Sequence, residues 1–105
     1  MTREAAAKIL ADCRERINVL DRRLLALLNE RTRLVEEIGR VKRECQMPIY
    51  EPKREVEVLE NVAQHNSGPM AQEAARRIFE RIIDEMRTLQ RLRMEAPRDL
   101  EKSGD

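Results

Sequence analysis

Two cations, an amide and a carboxylate stand where this chain should carry apolar side chains. Arg31 and Lys42 are eleven residues apart, which on a helix is about three turns, so they share one face at roughly 16 Å along the axis. At about 100° per residue, Ile17, Leu20, Leu24, Leu27, Leu34 and Ile38 fall within roughly 60° of one direction, and Arg31 and Lys42 within about 20° of it. Arg22, Glu30, Arg33, Glu36 and Arg40 point away. A charge aimed into an apolar face is expensive unless paired. These two cations therefore require an anion, from the protein or from a ligand.

The same test applied downstream finds Glu55 inside the apolar face of a second helix, between Leu59 and Val62, and Gln90 one turn beyond Met86 on the stripe of a third. Arg14 lies seventeen residues before Arg31, about 100° away around the helix. It cannot line the same cavity from the same side, but it can reach that of a neighbouring subunit. Taken singly, each residue has an ordinary explanation: an interhelical ion pair for Arg31 or Lys42, with Glu55 as a candidate partner; stems that snorkel to solvent; a bundle amide for Gln90; and a dipole preference for Glu55. Together they form a cavity suited to a small dianion bearing a hydroxyl group.

Other chemistries leave no trace. His65 sits beside a turn, and Cys13 and Cys45 have no spacing that implies a disulfide framework or a metal site. No Gly-rich phosphate loop or nucleophile elbow is present. With no cofactor or metal implied, catalysis must come from orientation and fixed electrostatics, which suits a unimolecular rearrangement.

The elements that position these groups follow from composition. The 105 residues are 39% charged and 41% hydrophobic with one Phe and one Tyr, an all-α composition whose core is built from Leu, Ile, Val, Met and Ala. A first helix is predicted over about 4–44, where there is no Pro and a single Gly, Gly39. At 1.5 Å per residue it is a rod of roughly 60 Å, too long for a compact monomer of this size, so an intertwined dimer is expected. Pro48 and Pro52 interrupt the helix, Pro52 opens a short second one, the 66–69 NSGP run is a turn, and a third helix runs from near Met70 to about Met94. One helical domain over 1–96 and a polar, frayed tail over 97–105 result.

A net charge of +1 offers no general attraction for nucleic acid or an anionic membrane. The longest apolar run, Leu24–Leu28, is far too short to span a bilayer, and the start lacks a signal-peptide hydrophobic region. A cytoplasmic chain is the expectation.

Three stretches then carry a resemblance: CRERINVLDRRLLALLNERTRLVEEIGRVK at 13–42, PIYEPKRE at 48–55 and RRIFERIIDEMRTLQ at 76–90. In order and spacing they resemble the all-helical chorismate mutases, whose fold is an intertwined dimer of three-helix chains and whose reaction is the Claisen rearrangement of chorismate to prephenate. The resemblance implies that Arg31 binds a substrate carboxylate, that Arg14 is supplied across the dimer, and that Lys42 and Gln90 donate to the ether oxygen as its bond breaks. It further implies that Glu55, with Glu51, holds the ring hydroxyl, with Arg54 beside them in the same motif. Met86 stands where some members carry a small hydroxyl residue, with Arg87 next to it, and Glu51 where Asp is common. Two other readings use the same features: a lyase that releases pyruvate from isochorismate, and a helical dimerisation or regulatory module. Docking onto another shikimate-pathway enzyme is also compatible with the resemblance.

Overall fold

The computed structural model describes residues 1–95. They form three α-helices, α1 (Arg3–Glu44), α2 (Pro52–His65) and α3 (Gln72–Glu95), with no strand among the described residues. The tail expected over 97–105, and the stop expected at Pro97, lie outside them. None of the described helices is long and apolar enough to cross a membrane. The chain divides into two compact units, Met1–Leu34 and the residues from Val35 onward.

The first unit is the N-terminal part of α1. Thr2 caps it, its Oγ1 accepting the Ala5 amide at 3.0 Å, which satisfies one of the donors a helix start leaves over. Asp12 and Arg16 pair along the surface at 3.7 Å. No residue of this unit is buried. Its stripe is present as the periodicity predicts, with Ile17, Leu20, Leu24, Leu27 and Leu34 all exposed.

The second unit contains the end of α1 together with α2 and α3. α1 stops in a tight cap: the Gln46 amide donates to the Arg43 carbonyl at 3.3 Å and the Met47 amide to the Lys42 carbonyl at 2.8 Å. This pair of hydrogen bonds requires a left-handed residue between them, and Gln46 supplies it with φ 54°. Pro52 opens α2 in its first turn, where its missing N–H leaves nothing unsatisfied. α2 packs along α3, with Ala75 and Met86 buried and Leu59, Val62, Phe79 and Ile82 half-buried.

α3 begins two residues later than the spacing predicts because its approach is held by side chains. Asn66 Nδ2 donates to the Met70 carbonyl and to Gln72 Oε1, both at 3.0 Å, while Gln72 Nε2 donates to the Ala63 carbonyl at 2.9 Å. The Met70 carbonyl is thus spent on the turn. Gly68, at φ 79°, occupies the turn position where a side chain would be strained. At its far end α3 is tied to α1 by Arg93 and Glu36 at 2.8 Å, and by Arg43 Nη1 donating to the Arg93 carbonyl at 3.3 Å.

Candidate active site

Lys42 is 7% exposed in the last turn of α1. The cap at Gln46 turns the chain back along that turn, and Lys42 Nζ donates to the Ile49 carbonyl at 3.0 Å and pairs with Glu51 Oε1 at 2.5 Å. Glu51 occupies the position before α2 yet makes no side-chain cap bond; its carboxylate goes to Lys42 instead. An ammonium has three donors, and these contacts use two. The sequence offered Glu55 as an ion-pair partner for Lys42. The structure corrects this: the connection returns along the end of α1 and brings Glu51 there first.

Gln90 is 9% exposed on α3, and its Nε2 donates to the Val35 carbonyl at 3.1 Å. A carbonyl acceptor decides which way an amide lies, since only the nitrogen end can donate. The approach depends on Gly39, which is buried: a Cβ there would stand 3.5 Å from Gln90 Cγ and 3.9 Å from Nε2. Val35, Gly39 and Lys42 share one face of α1, so the Gln90 amide rests one turn before Lys42. Lys42 and Gln90 are the buried polar side chains among the described residues. No buried side-chain N or O among them lacks a hydrogen-bond partner.

Glu55 is half-buried on α2 and faces α3, its Oε1 lying 3.3 Å from Arg87 Nη1. Arg87 Nη2 also reaches Asp84 Oδ1 at 2.5 Å, and the guanidinium lies over the Tyr50 ring at 5.0 Å from its centroid. Tyr50, Asp84 and Arg87 border an open cleft of about 500 Å³ that also includes Ile49, Thr88 and Arg91.

Arg54 is exposed and turned along α2 toward Glu57 at 3.4 Å. Arg14 and Arg31 belong to the first unit, the former exposed and the latter half-buried. His65 is exposed at the end of α2, its Nδ1 2.7 Å from the Asn61 carbonyl. Both cysteines are free and exposed.

Gly39 escaped sequence reasoning as a contributor to the site. Gly39 had a signal, because glycine inside a helix is unfavourable by roughly 0.5–1 kcal/mol and often marks a close approach. Arg87 was noted beside Met86, but nothing in the sequence indicated Glu55 on α2 as its partner. In the second unit the arrangement presents an ammonium and an amide N–H, both held in place before any ligand arrives. Such a pair can meet an oxygen that gains negative charge.

Comparison with known proteins is consistent with this chemistry. Residues 13–91 match the family described as chorismate mutase type II. The chain is 35% identical over 86 residues to a bifunctional chorismate mutase/prephenate dehydratase of Aquifex aeolicus, an alignment covering 78% of this chain and 24% of that protein. It therefore spans about a quarter of that relative's length. It is 26% identical to a chorismate mutase of Methanocaldococcus jannaschii, over 89% of this chain and 95% of the other. The solved chorismate mutase (Form II) of Thermus thermophilus superposes with a TM-score of 0.77 at 38% identity, covering 78% of this chain and 93% of that one.

Proposed function

The chain belongs to the chorismate mutase type II family, and from that premise we propose that it is a cytoplasmic chorismate mutase, converting chorismate to prephenate by Claisen rearrangement. The reaction breaks the ether C–O bond and forms a C–C bond within one molecule, so no group transfer to the protein is needed. Negative charge gathers on the ether oxygen in the transition state. Lys42 and Gln90 are the donors that meet it, and they are the catalytic residues of this reading. Arg31 and Arg14 bind the substrate carboxylates, Arg54 adds positive charge at the start of α2, and Glu55 with Glu51 receives the ring hydroxyl.

The observation that carries the reading is the pair of buried donors. Lys42 and Gln90 are each oriented by a backbone carbonyl, Ile49 for one and Val35 for the other, so neither has to reorganise as charge develops. Preorganisation of this kind is the largest lever available to a site without a nucleophile.

The active form is a homodimer in this reading. The exposed stripe from Ile17 to Leu34 is covered by a second copy, and Arg14 is supplied to the other subunit's site.

Purified protein incubated with chorismate should accumulate prephenate. Lys42→Ala and Gln90→Ala should each lower kcat by about 10²–10³-fold, the effect of removing one preorganised donor, while circular dichroism stays helical. A folded, inactive wild type would overturn the reading, release of pyruvate would point to the lyase instead, and full activity in both variants would remove the donor assignment.

A further inference from the structure

The connection and the first turn of α2 are pinned from two sides in alternation. Lys42 holds the Ile49 carbonyl and the Glu51 carboxylate, as described above. On the other side, Arg87 holds Tyr50 through its guanidinium face and Glu55 through Nη1, while Nη2 is anchored by Asp84 on its own helix. A guanidinium is planar with donors in a fixed fork and an apolar face, so one side chain can satisfy these three partners in a single orientation. The Arg87 and Glu55 side chains are 29% and 24% exposed, which limits solvent screening between them.

We propose that Arg87 is a positioning residue that acts through Glu55: it fixes the Glu55 carboxylate and clamps Tyr50, holding the 49–55 segment against α3. The kinetic part rests on the chorismate reading above. The physical need is plain in that reading. A carboxylate offered to the hydroxyl of a dianion repels the same dianion, and a counter-cation within ion-pair distance removes that repulsion without taking up the second carboxylate oxygen. The site's two acidic groups then each carry their own cation, Lys42 for Glu51 and Arg87 for Glu55.

Tyr50 makes the clamp observable apart from catalysis, because the chain has one Tyr and no Trp. Its fluorescence is therefore a single-residue signal from the clamp. In Arg87→Met, acrylamide quenching of Tyr50, which is 55% exposed, should rise measurably, and KM for chorismate should rise about tenfold with kcat within about twofold of wild type. Glu55→Gln should raise KM similarly, and the double variant should be no worse than the poorer single one, because the two residues act as one unit. Arg87→Lys retains a charge but not the planar fork, so it should recover part of the KM and little of the Tyr50 protection. Should Arg87→Met fail to fold, Arg87→Lys with quenching indistinguishable from wild type overturns the clamp by itself. Unchanged quenching in a folded Arg87→Met overturns it too, as do additive KM effects in the double variant. A wild type that does not act on chorismate refutes the functional reading alone, and the quenching series still decides whether Arg87 holds the segment.

Discussion

In Met1–Leu34, Ile17, Leu20, Leu24 and Leu27 are each more than half exposed, and the pairs Asp12–Arg16 and Glu15–Arg22 run along a single helix. From Val35 onward the pattern inverts, since Lys42 and Gln90 are buried and bonded to backbone carbonyls outside their own helices. The contrast separates two uses of one helix. Its N-terminal part offers apolar surface, and its C-terminal turns offer carbonyls, a glycine notch and a lysine. A helix stripe is stable mainly through what packs against it, and no residue of the first region is buried. The second already contains the partners of its polar groups.

The largest expected effect breaks the first half of that comparison. In the homodimer proposed above Leu24 is covered by a second copy, and on that proposal Leu24→Asp should destabilise the protein by about 3 kcal/mol or more, the penalty for an unpaired charge in an apolar contact. Urea unfolding together with sedimentation would read both stability and subunit number. A change within about 0.5 kcal/mol is what a solvent-facing position gives, and it would show that the stripe has no cover.

A smaller effect sharpens the second half. Gln46 holds a left-handed conformation that an L-residue adopts at a penalty and glycine adopts freely. Gln46→Gly should therefore raise stability by about 0.5–1 kcal/mol, measured as a higher Tm. Because the cap that turns the connection toward Lys42 is kept, kcat should stay near wild type. A lower Tm would mean that the Gln46 side chain contributes more than its backbone strain removes.

The smallest effect belongs to a surface cluster. Arg40 donates to Glu37 and Glu44 on the exposed side of α1. Its hydrogen bond, and then its charge, hold the Glu37 carboxyl below the usual carboxylate range. With the folded value depressed, any stabilisation is present above the ordinary carboxylate pKa and is lost as pH falls through the depressed value. Fully exposed pairs of this kind contribute little. Arg40→Gln should leave Tm at pH 7 almost unchanged, and it should remove a slight acid-side slope in a Tm-against-pH series. A large drop at neutral pH would mean the cluster bears on something other than its own helix.

Much of this was legible beforehand. The absence of Pro over 4–44 and the prolines at 48 and 52 specify α1, the break and the start of α2. The wheel singled out Lys42 and Gln90 as inward polar residues, and both are buried. The start of α3 was displaced because Asn66 donates to Gln72 and the Met70 carbonyl while Gln72 donates back to the Ala63 carbonyl, an effect no periodicity registers. Glu55 was recognised as misplaced, but its partner was not.

The sequence by itself determined which residues lie on which face of each helix, because a helix fixes azimuth at about 100° per residue whatever surrounds it. Only the tertiary structure decided which face meets which. That choice gave Glu51 to Lys42, Arg87 to Glu55 and the Val35 carbonyl to Gln90. The reason is geometric: hydrophobic periodicity constrains rotation about each axis, whereas the pairing of polar groups depends on how the connections at 45–51 and 66–71 set one axis beside another.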